Sequence, residues 1–226
     1  MSFFHLHKKW PITAMLWIVS KEPPSPTLDI PYVEDLLLGE AYTSATDKIQ
    51  WLKTNLAIQR EKIEQVAQLT VGQRNNHLWA LVRKNRLTAS NFGKVLAAIR
   101  RNRFPPSLFK QVLGSYDLST KDAILWGINN ESVAKAKYCS YGDAVVEETD
   151  FQVHDGRQMY KLKEDHIYYD QVQGQLHIQN KSACDFVVWT TKDIAIVRVL
   201  QDSAWDQNIA KLIDFYFTQI IPIVQK

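Results

Sequence analysis

The sequence predicts an α/β class fold of the α+β kind, several helices around a small sheet, and three observations carry that expectation. Apolar residues recur at three- and four-residue spacings from Thr46 onward, as Ile49, Leu52, Leu56, Ile63 and Val66, which is the helical period. Two β-branched runs, Cys184–Thr190 and Ile194–Leu200, are separated only by Thr191, Lys192 and Asp193, the pattern of a hairpin of core strands. The chain has 226 residues, 46% hydrophobic and 23% charged, enough to bury one ordinary core.

Residues 1–43 hold Pro11, Pro23, Pro24 and Pro26 and no sustained periodicity, so they read as an N-terminal extension to a domain over residues 44–226. The apolar run Ile12–Val19 is too short to span a bilayer. No small-residue cleavage pattern follows it, so neither targeting nor a membrane is expected. Two distant cysteines, Cys139 and Cys184, suggest neither a disulfide framework nor a zinc site. An intracellular setting follows from that, with nucleus and cytoplasm undistinguished.

One helix is expected from Thr46 to near Leu69. Thr70 and Gln73 have capping-box spacing and would open a basic helix carrying Trp79 and Leu81. That helix breaks at Asn85, and Ser90 is a natural N-cap for the next, Asn91–Arg101. Phe104-Pro105-Pro106 stops it, and Ser107 can start a short helix. Ser119 and Asp122 form a second capping box before Ala123–Tyr141, whose apolar stripe is Ile124, Leu125, Ile128, Val133 and Ala136. Phe151–His154 and Gln158–Leu162 flank Asp155-Gly156 and read as short strands about a turn. Asp165–Lys181 reads as a helix despite Gly174, because Tyr168, Val172 and Leu176 repeat every four residues, with Gln171 and Gln175 on an adjacent face. A final helix from Ser203 to about Ile220 carries Ile209, Leu212, Ile213 and Phe217 inward.

Charge is more informative by position than in total. The net +3 and pI near 8.7 are common. Between Gln65 and Tyr116, however, there is no Asp or Glu, while Arg74, Arg83, Lys84, Arg86, Lys94, Arg100, Arg101, Arg103 and Lys110 are all basic. The rest of the chain carries 18 Lys and Arg against 24 Asp and Glu, so a polyanion meeting this one segment is the natural inference. Within it, Arg83 and Arg86 precede a predicted helix N-terminus, with the hydroxyls of Thr88 and Ser90 beside it. A helix start attracts anions through its unpaired N–H groups and dipole. The four residues therefore suit a phosphate cradle; they equally suit a plain helix cap with solvated arginines.

Four blocks, in order, resemble the YqaJ-type viral recombinase family, the lambda-exonuclease branch of the PD-(D/E)XK nucleases. They are Trp79 with Arg83–Gly93, Gly127 with Glu131 and Ala134, Tyr168–Gln175, and Cys184–Trp189. The resemblance implies a small mixed sheet flanked by helices and a metal-dependent exonuclease that degrades one strand of duplex DNA from a 5′ end. It implies that Arg86 and Ser90 lie near the terminal phosphate, that Glu131 lies at a Mg2+ or Mn2+ site, and that Gln171 lines the active site. Duplex DNA, a homo-oligomer and a recombinase partner are family associations of the same kind. The family's S-P-D-G and E-I-K blocks, which supply further carboxylates and a lysine, are missing between Glu148 and Phe151. The sheet should be shortened accordingly. Three readings follow: an active exonuclease, a non-catalytic nucleic-acid-binding module, or a truncated inactive remnant.

Overall fold

The computed structural model describes residues 29–72, 76–114, 122–140 and 162–225. Two compact units meet in sequence between Val82 and Arg83. The first contains α1 (Val33–Leu38), α2 (Glu40–Thr43), α3 (Lys48–Asn55), α4 (Arg60–Leu69) and most of α5 (His77–Arg83). Ile30 and Leu78 are buried together against Tyr32, Val66, Leu69 and Val82. No helix among the described residues is long and apolar enough to cross a membrane.

The single helix expected from Thr46 to Leu69 is two helices. Asp47 caps α3 by accepting from the Gln50 N–H at 2.9 Å. At its end Thr54 and Asn55 bond back to the carbonyls of Gln50 and Trp51, local side-chain bonds that compete with helix continuation. The chain is extended at Gln59 and restarts at Arg60. Ile49 and Ile63, read as part of one apolar stripe, are exposed. Nor does Thr70 open the basic helix, because its hydroxyl donates to Val66 O at 2.7 Å and closes α4. Asn76 does so instead, accepting from the Leu78 N–H at 3.0 Å.

The second unit is built on α6 (Phe92–Arg100). Phe92, Val95, Leu96 and Ile99 recur at helical spacing, and the first three are buried, each worth roughly 1.5–3 kcal/mol of apolar transfer. Asn102 ends the helix in the left-handed region at φ 47°, and Arg103 N–H returns to Ala98 O at 3.1 Å, an asparagine version of the glycine stop. The short helix expected near Ser107 is α7 (Pro106–Val112). It brings Leu108 and Val112 to a core completed by Trp205, Leu212, Phe215 and Ile220.

Helix α8 (Asp122–Cys139) and helix α9 (Ile167–Gln179) flank a two-stranded antiparallel sheet, β1 (Ala183–Trp189) and β2 (Ile194–Leu200). Ala183 pairs with Leu200 and Trp189 with Ile194. The hairpin is where the sequence places it, with Thr190 Oγ1 accepting from the Asp193 N–H at 3.0 Å in the turn. One face, Cys184, Phe186, Val197 and Val199, packs on Val172 and Leu176 of α9. The other meets α8 through the Trp126–Trp189 ring stack at 5.7 Å and the bond from Tyr138 O–H to Asp185 at 2.7 Å. Only Val199 of the strands is buried, and Val188 is 48% exposed, so these are half-covered strands rather than a closed core. Leu125 and Val133, read as part of the α8 stripe, are likewise exposed. The strands read around Asp155-Gly156, and Ser119 of the second capping box, lie outside the described residues.

The last segment is a short turn at Ser203–Asp206, α10 (Gln207–Phe215), one π-type turn at Tyr216–Ile220 and α11 (Ile221–Val224). Ile213, expected inward, is 45% exposed. The π turn changes the phase of the helix, so that Leu212, Phe215 and Ile220 are the buried set.

A Cβ at Gly174 of α9 would fall inside contact distance of the Phe92 ring and 3.3 Å from Trp205. Gly174→Ala is expected to lower stability in urea unfolding by about 1–3 kcal/mol through overpacking, opposite in sign to the gain of about 1 kcal/mol at an open helical glycine. In the hairpin, Arg198 bonds Asp185 at 2.5 Å and 3.1 Å. This holds the Asp185 carboxyl below the usual carboxylate range, against the effect of burial and with help from Tyr138. A lowered folded pKa stabilises above the unfolded value of about 3.9 and is lost as pH falls through the folded one. Acid titration of the unfolding midpoint should therefore show a loss below about pH 4 that is absent in Asp185→Asn.

Candidate nucleic-acid interface

The segment joining α5 to α6 sets the geometry. Helix α5 ends at Arg83, and the predicted break at Asn85 is a left-handed residue, φ 56°, a conformation asparagine tolerates. Arg86 N–H bonds Arg83 O at 3.1 Å, and Tyr216 O–H fixes the turn by donating to Asn85 O at 2.8 Å. The next residues alternate. Leu87 and Ala89 pack on the core of the second unit, while Thr88 is extended and the chain tightens at Ala89 into a 3-10 turn that carries Ser90.

Their hydroxyl oxygens are 3.1 Å apart, and Arg83 Nη2 donates to Thr88 Oγ1 at 3.4 Å. Three of the four cradle residues are thus brought together. Arg83 keeps access to solvent, yet the atoms crowded around its guanidinium desolvate it and lower its pKa. It stays charged, since arginine does not deprotonate in proteins. Arg86 is half-buried in the turn between Arg83 and Thr88.

Ser90 is not the cap of α6. It lies inside a 3-10 turn, Ala89–Asn91, and Asn91 precedes the helix without a side-chain cap bond. The reason is the alternation that buries Ala89. It turns Ser90 outward toward the Thr88 hydroxyl rather than along the helix axis. No side chain caps α6, and the Phe92 N–H at its start is taken by Ala89 O within the 3-10 turn, so the cradle consists of the guanidinium and the two hydroxyls rather than of open helix N–H groups.

Gln171 is half-buried on α9, whose face packs on α6 and on the Ala89–Asn91 turn. Glu131 is exposed midway along α8, on the other side of the hairpin. Among the described residues no three His, Cys, Asp or Glu side chains gather where they could hold a metal ion. A hard divalent cation takes several converging oxygen ligands, so the described donor set does not fit a magnesium cage.

Two buried polar residues escape sequence reasoning. Asp170, 6% exposed, accepts from Trp205 Nε1–H at 2.9 Å and faces Arg100 at 3.7 Å. Gln173, fully buried, donates to Leu200 O and accepts from the Asp202 N–H, both at 2.8 Å. Their hydrogen-bond partners lie 27 to 35 residues away and Arg100 farther still, and no local pattern announces them. Tyr169 donates to Asp202 at 3.3 Å, and burial together with that carboxylate pushes its phenol up to about 12.

No curated protein and no solved structure matches the chain significantly. A family profile for viral alkaline exonuclease matches residues 37–182, which takes in the cradle, Glu131 and Gln171. With well over half of its length matched, the chain belongs to the viral alkaline exonuclease family.

Proposed function

We propose that the chain binds the ends of duplex DNA by gripping a terminal 5′ phosphate between Arg83, Thr88 and Ser90, with Arg86 adding charge from the turn. The observation that carries this is the clustering of a partly desolvated guanidinium with two facing hydroxyls in the turn that leads into α6. Each of these groups donates to phosphate oxygen. The acid-free run of nine basic residues around them supplies the sequence-independent attraction of a phosphate backbone. Contacts of this kind position DNA without reading its bases.

In fluorescence-anisotropy titrations, a 5′-phosphorylated duplex should bind about 10-fold or more tightly than its 5′-hydroxyl counterpart, since hydrogen bonds to a charged group are worth about 1.5–3 kcal/mol. Arg83→Gln should erase that preference while leaving weaker binding. Equal affinity for both ends in the unaltered protein would remove the cradle.

Hydrolysis is not part of this proposal. The sequence lacks the S-P-D-G and E-I-K blocks from which the family draws its remaining carboxylates and its lysine, and Glu131 would need such partners to hold Mg2+ or Mn2+. A linear 5′-phosphorylated duplex should stay full length in Mg2+ or Mn2+, with end binding unchanged by EDTA and within about twofold in Glu131→Ala, less than about 1 kcal/mol. Metal-dependent shortening that Glu131→Ala abolishes would favour the active exonuclease instead.

A further inference from the structure

A second basic feature lies at the other end of α6. A cleft of about 450 Å³ is bounded by α6, the Arg101–Pro105 connection, α7 and α9, and its charged lining is Lys94, Arg100, Arg101 and Arg103 against Asp165 and Asp170. Three of these six charges are already engaged. Arg100 faces Asp170 at 3.7 Å, Asp170 is also bonded by Trp205, and Arg101 Nε–H donates to Ala97 O at 3.0 Å. The side chains of Lys94 and Arg103, and of Asp165 opposite them, have no ion-pair or hydrogen-bond partner among the described residues, which leaves one net positive charge among these three. Two cations left unpaired in a concave site, with a third held by its backbone, call for an anion from outside.

The position of the cleft says which anion. Ser90, Lys94, Ala97 and Arg101 are four, three and four residues apart, so they follow one face of the helix. At 1.5 Å per residue, Lys94 is roughly 6 Å and Arg101 roughly 16 Å along the axis from Ser90. One strand of B-DNA advances about 3.4 Å per nucleotide. A strand whose terminal phosphate sits at Ser90 and which follows α6 would then carry phosphates past Lys94 to the end of the helix, where Arg103 lines the cleft beside the backbone-held Arg101, about two to five nucleotides further in. We infer that the cleft is a second phosphate station for the strand held at the cradle, with Lys94 and Arg103 as its contacts and the Asp170-held Arg100 as part of its wall. This inference rests on the end-binding reading above and extends it to the path of the strand.

The test uses the full chain, a 16-base-pair duplex with one 5′ phosphate, and a salt titration. Lys94→Gln with Arg103→Gln should reduce the slope of log affinity against log salt by about 2, one for each phosphate no longer neutralised. The preference for a 5′ phosphate over a 5′ hydroxyl should survive. A duplex with neutral methylphosphonate linkages two to five nucleotides from the 5′ end should bind the unaltered protein more weakly, and the double variant should show no further weakening on it. An unchanged slope, or an equal weakening when the neutral linkages are placed nine to twelve nucleotides in, overturns the cleft while the cradle stands. Displacement of that duplex by a deoxynucleoside monophosphate from the unaltered protein but not from the double variant overturns the strand path in favour of a free nucleotide. Failure of the unaltered protein to bind any end overturns both. Circular dichroism of the double variant separates these outcomes from misfolding, and both substituted side chains reach solvent.

Discussion

The second unit depends on how closely α9 can approach α6, and that approach is set at Gly174. The bare backbone there admits the Phe92 and Trp205 rings where a Cβ would stand, and the two rings are themselves stacked at 6.3 Å. Everything carried by the two helices inherits this spacing. Phe92 is the first residue of α6, directly after the turn that presents Thr88 and Ser90, and Gly174 is one turn beyond Asp170 and Gln171. The packing that closes the core thus also sets the Ala89–Asn91 turn against the helix of Gln171.

Polar bonds then select one arrangement of this packing. Asp170 and Gln173 face buried partners, and His177 stacks on Trp205 at 5.4 Å while its Nε2–H donates to Asp202 O at 2.8 Å. An unmatched group in such a place costs more than a good bond returns. The bonds therefore act less as a source of stability than as a penalty on any slipped position of α9 relative to the Asp202–Asp206 turn. Arg100 belongs to the same set, through which the end of α6 senses the seating of α9.

Much of this is legible in the sequence wherever the signal is local. The hairpin follows from two β-branched runs and a three-residue turn, and α9 from the spacing of Val172 and Leu176. The break at Asn85 follows from composition, and the acid-free basic run from a count. What fails depends on contacts made far along the chain. Ser90 has the composition of a cap, but the burial of Leu87 and Ala89 turns it outward. The stretch around Leu56 has helical spacing, but side-chain bonds at Thr54 and Asn55 end the helix early. The π turn at Tyr216 leaves no mark that periodicity detects, and Ile213, beside the buried Leu212, falls just off the covered face of a regular helix. Of the site, Arg83, Thr88 and Ser90 can be named because neighbours in sequence form the cradle. Asp170, Gln173 and the cleft cannot, because each is assembled from three or more distant elements.

The bond from Tyr216 to Asn85 O spans 131 positions, and it begins in the π turn, where a helix is least regular. A π turn is retained at a cost in hydrogen-bond geometry, and here it aims a phenol at the one left-handed residue of the connection. Local openings of a protein follow such tethers rather than the order of the chain. Backbone amides of the Arg86–Asn91 loop should accordingly exchange with solvent deuterium in step with those of the C-terminal helix. Slow breathing at the far end of the polypeptide would then set the lifetime of the Arg86–Asn91 loop in this conformation.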